Sequence, residues 1–151
     1  MKSKLFAALL SLSIVAFSCT KDEDTPPPPE PAKEYQLPGL YIGTYTITQL
    51  PNQTPLRYVM AFEPDGTITT EGTGADNKTY YHEGTWSLNG TEVKATYKTI
   101  NRASNVVTQS AVLTFNKADG TLTNGTWKDV VNSEGYIDGK FQTFQRVKDN
   151  P

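Results

Sequence analysis

The stretch YYHEGTWSLNGTEVKATYKT, residues 80–99, decides the fold. Tyr80, His82, Gly84, Trp86 and Leu88 fall on one face of its first run. Thr79, Tyr81, Glu83, Thr85 and Ser87 fall on the other. Asn89-Gly90 follows, a dipeptide suited to the left-handed backbone of a two-residue hairpin turn. The return run sets Val93, Ala95, Tyr97 and Thr99 against Glu92, Lys94, Thr96 and Lys98. Two runs of period 2 joined by Asn-Gly predict an antiparallel hairpin with one dry and one wet face.

The same grammar extends in both directions. Runs at 40–48 and 56–62 precede the hairpin, with Leu56, Tyr58, Met60 and Phe62 sharing a face. Pro64-Asp65-Gly66 turns into a third run at 67–71, and a glycine-rich loop at 72–77 leads to the hairpin. A polar loop at 101–105 opens a sixth run at 106–115, and Ala118-Asp119-Gly120 turns into a seventh at 121–128. An eighth spans 136–147, with a bulge or break expected at Asp138-Gly139. Phe141 and Phe144 in it are three apart, which a regular strand cannot place on one face, so a bulge there is a second expectation.

Gly43-Thr44-Tyr45, Gly84-Thr85-Trp86 and Gly125-Thr126-Trp127 recur at a spacing of 41 residues. Too few residues follow the third copy for a propeller blade, so the echo reads as repeated hairpin grammar; duplication is the alternative. Thr and Tyr are abundant and no long window has helical apolar spacing, so the class is all-β. About eight antiparallel strands joined by tight turns predict an up-and-down meander closing into a small barrel. The alternative is a two-sheet β-sandwich, disfavoured by the lack of a long Greek-key connection.

The chain has 151 residues, a net charge of −2 and a single cysteine. Lys and Arg are scattered singly, so nothing points to nucleic acid, and no internal disulfide can form. Residues 1–18 read as a signal peptide: Lys2 and Lys4, then an apolar stretch too short to span a bilayer. A buried N-terminal helix is the alternative. Ala16-Phe17-Ser18-Cys19 resembles a bacterial lipobox, with Ala16 where Leu is commoner. That resemblance implies cleavage before Cys19 and its lipidation, and two or more acyl chains would hold the protein stably at a membrane. The alternative is a free thiol.

Lys21, Asp22, Glu23 and Asp24 resemble the surface-export signal of Bacteroidota lipoproteins. This implies an outer-membrane protein facing the cell exterior. The alternatives are a merely solvated leader and a protein that faces the periplasm. Pro26 to Pro29 and Pro31 form an extended tether. No glycine precedes Gly39, so the organisation reads as signal peptide 1–18, lipidated cysteine and tether 19–34, and β-barrel domain 35–151.

The opening Gly-x-Tyr-x-Gly-Thr-Tyr, the Gly-Thr-Trp hairpin and the closing Phe144-Gln145-Arg146-Val147 resemble lipocalin-like and avidin-like barrels of the calycin type. Over residues 39–147 the chain is similar to small lipocalin-like lipoproteins of Bacteroidota, which largely lack an assigned activity. No set of residues matches the biotin-binding constellation of avidins, and neither biotin nor a lipocalin ligand is carried over.

Chemistry is sparse. His82 is the single histidine, with no cluster of His, Cys or carboxylates around it in sequence, so no metal or cofactor is expected. No nucleophile and base are arranged in a recognisable motif, so no enzyme is expected. Asp65, Asp119 and Asp138 precede glycines and read as turn formers. The aromatic residues are the binding candidates: Tyr58, Tyr80, Trp86, Tyr97 and Trp127, with His82 and Gln109 as polar handles. A ligand would be a small molecule or a glycan fragment. A domain of about 110 residues leaves little spare volume, so a plain packed core is the alternative. In that case the protein would be a structural or accessory protein docking another envelope protein.

Overall fold

The computed structural model describes residues 34–102, 106–131 and 137–148. The signal peptide, Cys19, the leader Lys21, Asp22, Glu23 and Asp24, and the proline tether lie outside them. The strands are β1 (Gly39–Ile47), β2 (Leu56–Phe62), β3 (Thr67–Thr73), β4 (Thr79–Asn89), β5 (Glu92–Thr99), β6 (Thr108–Asn116), β7 (Thr121–Val131), β8 (Asp138–Phe141) and β9 (Gln145–Arg146). From β2 to β8 each strand pairs antiparallel with the next, and β1 pairs with β2 on one side and with β8 and β9 on the other. The sheet therefore closes into an up-and-down barrel, and closure removes the edge strands that would template aggregation. The sandwich alternative is excluded.

The hairpin at 80–99 forms with the expected faces. Thr79, Tyr81, Glu83, Thr85 and Ser87 are exposed, while Val93, Ala95, Tyr97 and Thr99 are buried. Its turn sits one residue later than the Asn-Gly signal implies. Asn89 pairs with Glu92, which leaves Gly90-Thr91 as the loop, with Gly90 at φ +63°. Glycine at the first central position is the type II′ solution, whose twist suits the flanking strands.

The break in the eighth run falls after Phe141, not at Asp138-Gly139. Phe141 and Phe144 are both buried, and the two residues between them take the step that an unbroken strand cannot make. β8 pairs with Tyr45, Thr46 and Ile47, and β9 with Tyr41 and Ile42, so together they fill the eighth position of the barrel. Gly139 lies inside β8 because the Trp127 indole packs over it; a Cβ there would stand 2.6 Å from Nε1. Asp138 is accordingly a strand residue, whose Oδ1 accepts a bond of 3.0 Å from Gln49 Nε2. Asp65 and Asp119 do form turns. Each carboxylate accepts from the N–H (2.9 Å) and hydroxyl (2.7 Å) of the threonine two residues on, Thr67 and Thr121.

β7 carries a bulge. Val112 pairs with Thr126 but Thr114 pairs with Thr123, so one extra residue of β7 opposes Leu113. Asn124 takes it up at φ +51°, a left-handed conformation that asparagine tolerates better than other side-chain-bearing residues. The bulge resets the alternation. Leu122 and Trp127, five apart, both point inward, where strict period 2 would turn one of them out.

The two ends of the barrel differ. One is filled by Met60, Phe62, Ile68, Val93, Leu113, Phe115, Leu122 and Phe144, each 1% exposed or less. The segment ahead of β1 seals it. Leu37 is buried, Tyr35 N donates to Lys117 O at 2.8 Å, and Tyr41 Oη donates to Leu37 O at 2.9 Å. Arg146 Nη1 donates to Gln36 O at 2.8 Å and to Tyr41 Oη at 3.1 Å, tying the last strand to that segment. The other end, reached by the C-terminal ends of β1, β3, β5 and β7, is open.

Candidate functional site

A cavity of about 420 Å³ occupies the open half. That lies in the range of about 300–1,000 Å³ usual for small-molecule sites. Its aromatic wall is built by strand alternation: Tyr45 on β1, Tyr58 on β2, Trp127 on β7 and Phe141 on β8. The rings interlock edge to face or at a tilt. Centroids stand 5.4 Å apart for Tyr45 and Tyr58, 5.9 Å for Tyr45 and Trp127, and 5.2 Å for Tyr58 and Phe141. Gly72 lets the Tyr58 ring lie against β3, since a Cβ at that position would come within 2.7 Å of it. Trp127 Nε1 donates to Thr46 O at 3.2 Å, which fixes the indole across the β7–β8–β1 seam.

The adjoining wall, on β3 and β4, carries polar groups. Tyr58 Oη lies 2.9 Å from Thr70 Oγ1, which lies 3.0 Å from His82 Nδ1. His82 is 7% exposed and its Nε2 makes no hydrogen bond among the described residues. Burial, with the Arg102 charge next, lowers its pKa to about 4, so the imidazole is neutral near pH 7. Burial pushes the Tyr58 phenol up to about 12. Tyr97 is buried beneath this wall, its ring 5.5 Å from that of His82. Its hydroxyl has the Tyr58 phenol as a polar neighbour, yet no partner lies in hydrogen-bonding geometry among the described residues. Burial first, then the neighbouring Tyr58 phenol, raise its pKa well above the usual phenol value.

The mouth carries charge. The Arg102 guanidinium sits 4.2 Å above the Tyr80 ring, and Tyr80 Oη donates to Asp76 Oδ2 at 2.7 Å. Gln109 Nε2 donates to Asp129 Oδ1 at 2.9 Å. Among the described residues no group of three or more His, Cys, Asp or Glu side chains could hold a metal ion.

Six of the seven candidates named from sequence line this cavity: Tyr58, Tyr80, His82, Tyr97, Gln109 and Trp127. Trp86 does not. It packs on Phe62 at 5.8 Å and donates from Nε1 to Glu63 O at 3.1 Å, at the filled end. Strand direction explains the difference. β1 and β7 run toward the open end, so the aromatic two residues past Gly43 and Gly125 lands in the cavity. β4 runs the other way, so the same step from Gly84 carries Trp86 to the filled end.

Sequence reasoning missed Tyr45, Thr70, Phe141, Arg102 and Asp129. Tyr45 and Asp129 had a signal, since they lie two residues from the inward positions Gly43 and Trp127. Arg102, in a stretch read as polar loop, had none. Compared with known protein families, with curated proteins and with solved structures, the chain matches none, so its site rests on this geometry alone.

Proposed function

We propose that the protein is a lipid-anchored, surface-displayed lipoprotein whose barrel is a non-catalytic binding module for a small molecule. The cavity at the open end carries this reading. It is walled by aromatic rings with a few polar groups among them, the make-up typical of small-molecule sites. A non-catalytic role fits the surroundings of His82, whose ring bonds to a threonine hydroxyl rather than to a carboxylate that could orient it as a base. Anchoring through Cys19 and display through Lys21, Asp22, Glu23 and Asp24 rest on the lipobox and acidic leader in the sequence. The docking alternative has less support. The exposed apolar side chains are spread around the barrel, with Leu40, Ile42 and Val147 on the β1 side, Tyr81, Ile100 and Val106 near β4 and β5, and Val130 and Ile137 near β7 and β8. Small scattered groups of this kind are common on monomers.

Binding is tested by purifying the wild type and a cavity-filled Gln109→Trp variant from the native envelope and comparing the small molecules each releases on denaturation. A compound released by the wild type alone is expected. Identical profiles would remove the binding reading. Anchoring is tested by palmitate labelling, which Cys19→Ala should abolish, and display by protease shaving of whole cells with Lys21, Asp22 and Glu23 replaced by alanine.

A further inference from the structure

We propose that the cavity selects a flat aromatic ring compound carrying one uncharged hydrogen-bonding group on its leading edge, such as a phenol or a ring N–H. This rests on the binding function proposed above and names the class of ligand.

The polar groups of the wall limit what a ligand can present to it. Most are already bonded to one another. The Tyr58 and Thr70 hydroxyls bond together, Trp127 Nε1 bonds to Thr46 O, Tyr80 Oη to Asp76, and the Gln109 amide to Asp129. Among the described residues two groups are left over: Tyr97 Oη, which is fully buried and out of a ligand's reach, and His82 Nε2, held in place by the contact of Nδ1 with Thr70. A polyol finds partners at the mouth, in Arg102, Asp76 and Asp129, but its inner hydroxyls would lie against the rings of Tyr45, Tyr58, Trp127 and Phe141, and each unmatched hydroxyl is costly. An aliphatic chain would fail in the opposite way, by covering Nε2 and leaving it unsatisfied.

His82 is neutral, and the Arg102 charge bears on it, so an ammonium group is disfavoured beside it. Burial penalises an anion at the same depth. The leading group is therefore uncharged. At the mouth Arg102 stands with the Asp76 and Asp129 carboxylates, so a charged substituent of either sign is accommodated only on the trailing side of the ring.

Tyr45, Tyr58, Trp127 and Phe141 already pair edge to face or tilted at 5.2–5.9 Å, and an incoming aromatic ring extends that arrangement. Saturated rings and chains gain the area burial without the ring–ring geometry.

The test measures the affinity of the purified full chain for four probes at pH 7.5: phenol, toluene, 1-hexanol and glucose. Phenol is expected to bind about tenfold more tightly than each of the others, the value of roughly one buried hydrogen bond. His82→Phe should bring phenol down to the toluene level and leave toluene unchanged. His82→Gln, whose amide can reach both Thr70 and the probe, should keep part of the preference and covers the case in which the Phe variant does not fold. Toluene or glucose binding as well as phenol, or a phenol preference that survives loss of His82, would overturn the ligand class while leaving the cavity as a binding site. Binding of none of the four would overturn this inference and remove the support it takes from the binding reading.

Discussion

Thr70 Oγ1 lies 3.0 Å from His82 Nδ1, and this bond ties a β3 hydroxyl to the chain's single histidine on β4. It holds a neutral imidazole in a buried wall, with consequences for stability. The folded-state pKa is about 4 against an ordinary value of 6.5. As pH falls below 6.5 the unfolded chain binds a proton that the folded chain refuses, so stability declines until pH reaches about 4. The loss is on the order of 3 kcal/mol. Asp65 and Asp119 have folded pKa values lowered by bonds from Thr67 and Thr121, so their contribution is lost only as pH falls through and below about 4. Urea unfolding at pH 7 and pH 4.5 should show most of this decline in the wild type and little of it in His82→Gln.

The Tyr97 hydroxyl predicts an unusual mutational result. It is buried and has no hydrogen-bond partner among the described residues, so Tyr97→Phe removes a polar group that folding desolvates without return. The variant should be as stable as the wild type or up to about 1 kcal/mol more stable. Tyr58→Phe, which removes a bond of 2.9 Å to Thr70, should instead cost about 1 kcal/mol. Thermal denaturation of the two variants side by side checks the contrast.

Asn124 is predicted to be sensitive to backbone preference rather than to side-chain chemistry. Its φ of +51° suits glycine, so Asn124→Gly should change stability little. Asn124→Val places a β-branched residue in the left-handed region and should cost about 1–2 kcal/mol. Because the bulge is what turns Trp127 inward, the Val variant should also shift tryptophan emission.

Leu37 precedes the first strand yet is 1% exposed and packs into the filled end. Leu37→Ala should therefore cost about 2–5 kcal/mol, as truncation in a core does. Chemical denaturation of that variant, with Leu40→Ala as a half-exposed control, measures the difference.

Much of the barrel was legible because its information is local. The hairpin at 80–99 declares itself through period 2, and both Asp-Gly-Thr turns follow from a carboxylate two residues ahead of a threonine N–H. What stayed hidden depends on long-range geometry. Trp86 and Trp127 stand in the same Gly-Thr-Trp motif, yet they go to opposite ends because β4 and β7 run in opposite directions. Asp138-Gly139 looks like a turn, but the glycine is there to admit the Trp127 indole from another strand. Whether the interior is filled or open turns on the height at which each aromatic enters the barrel. Bulges such as the one at Asn124 set that height, and alternation alone does not announce them.

On the proposed function, one half of the barrel is packed and the other receives a ligand, with one tryptophan in each. The two indole N–H signals in a ¹H–¹⁵N spectrum report on the two halves separately. On titration with phenol, the Trp127 signal should move and the Trp86 signal should stay. A spectrum in which neither signal moves, or in which Trp86 moves and Trp127 does not, would contradict the account.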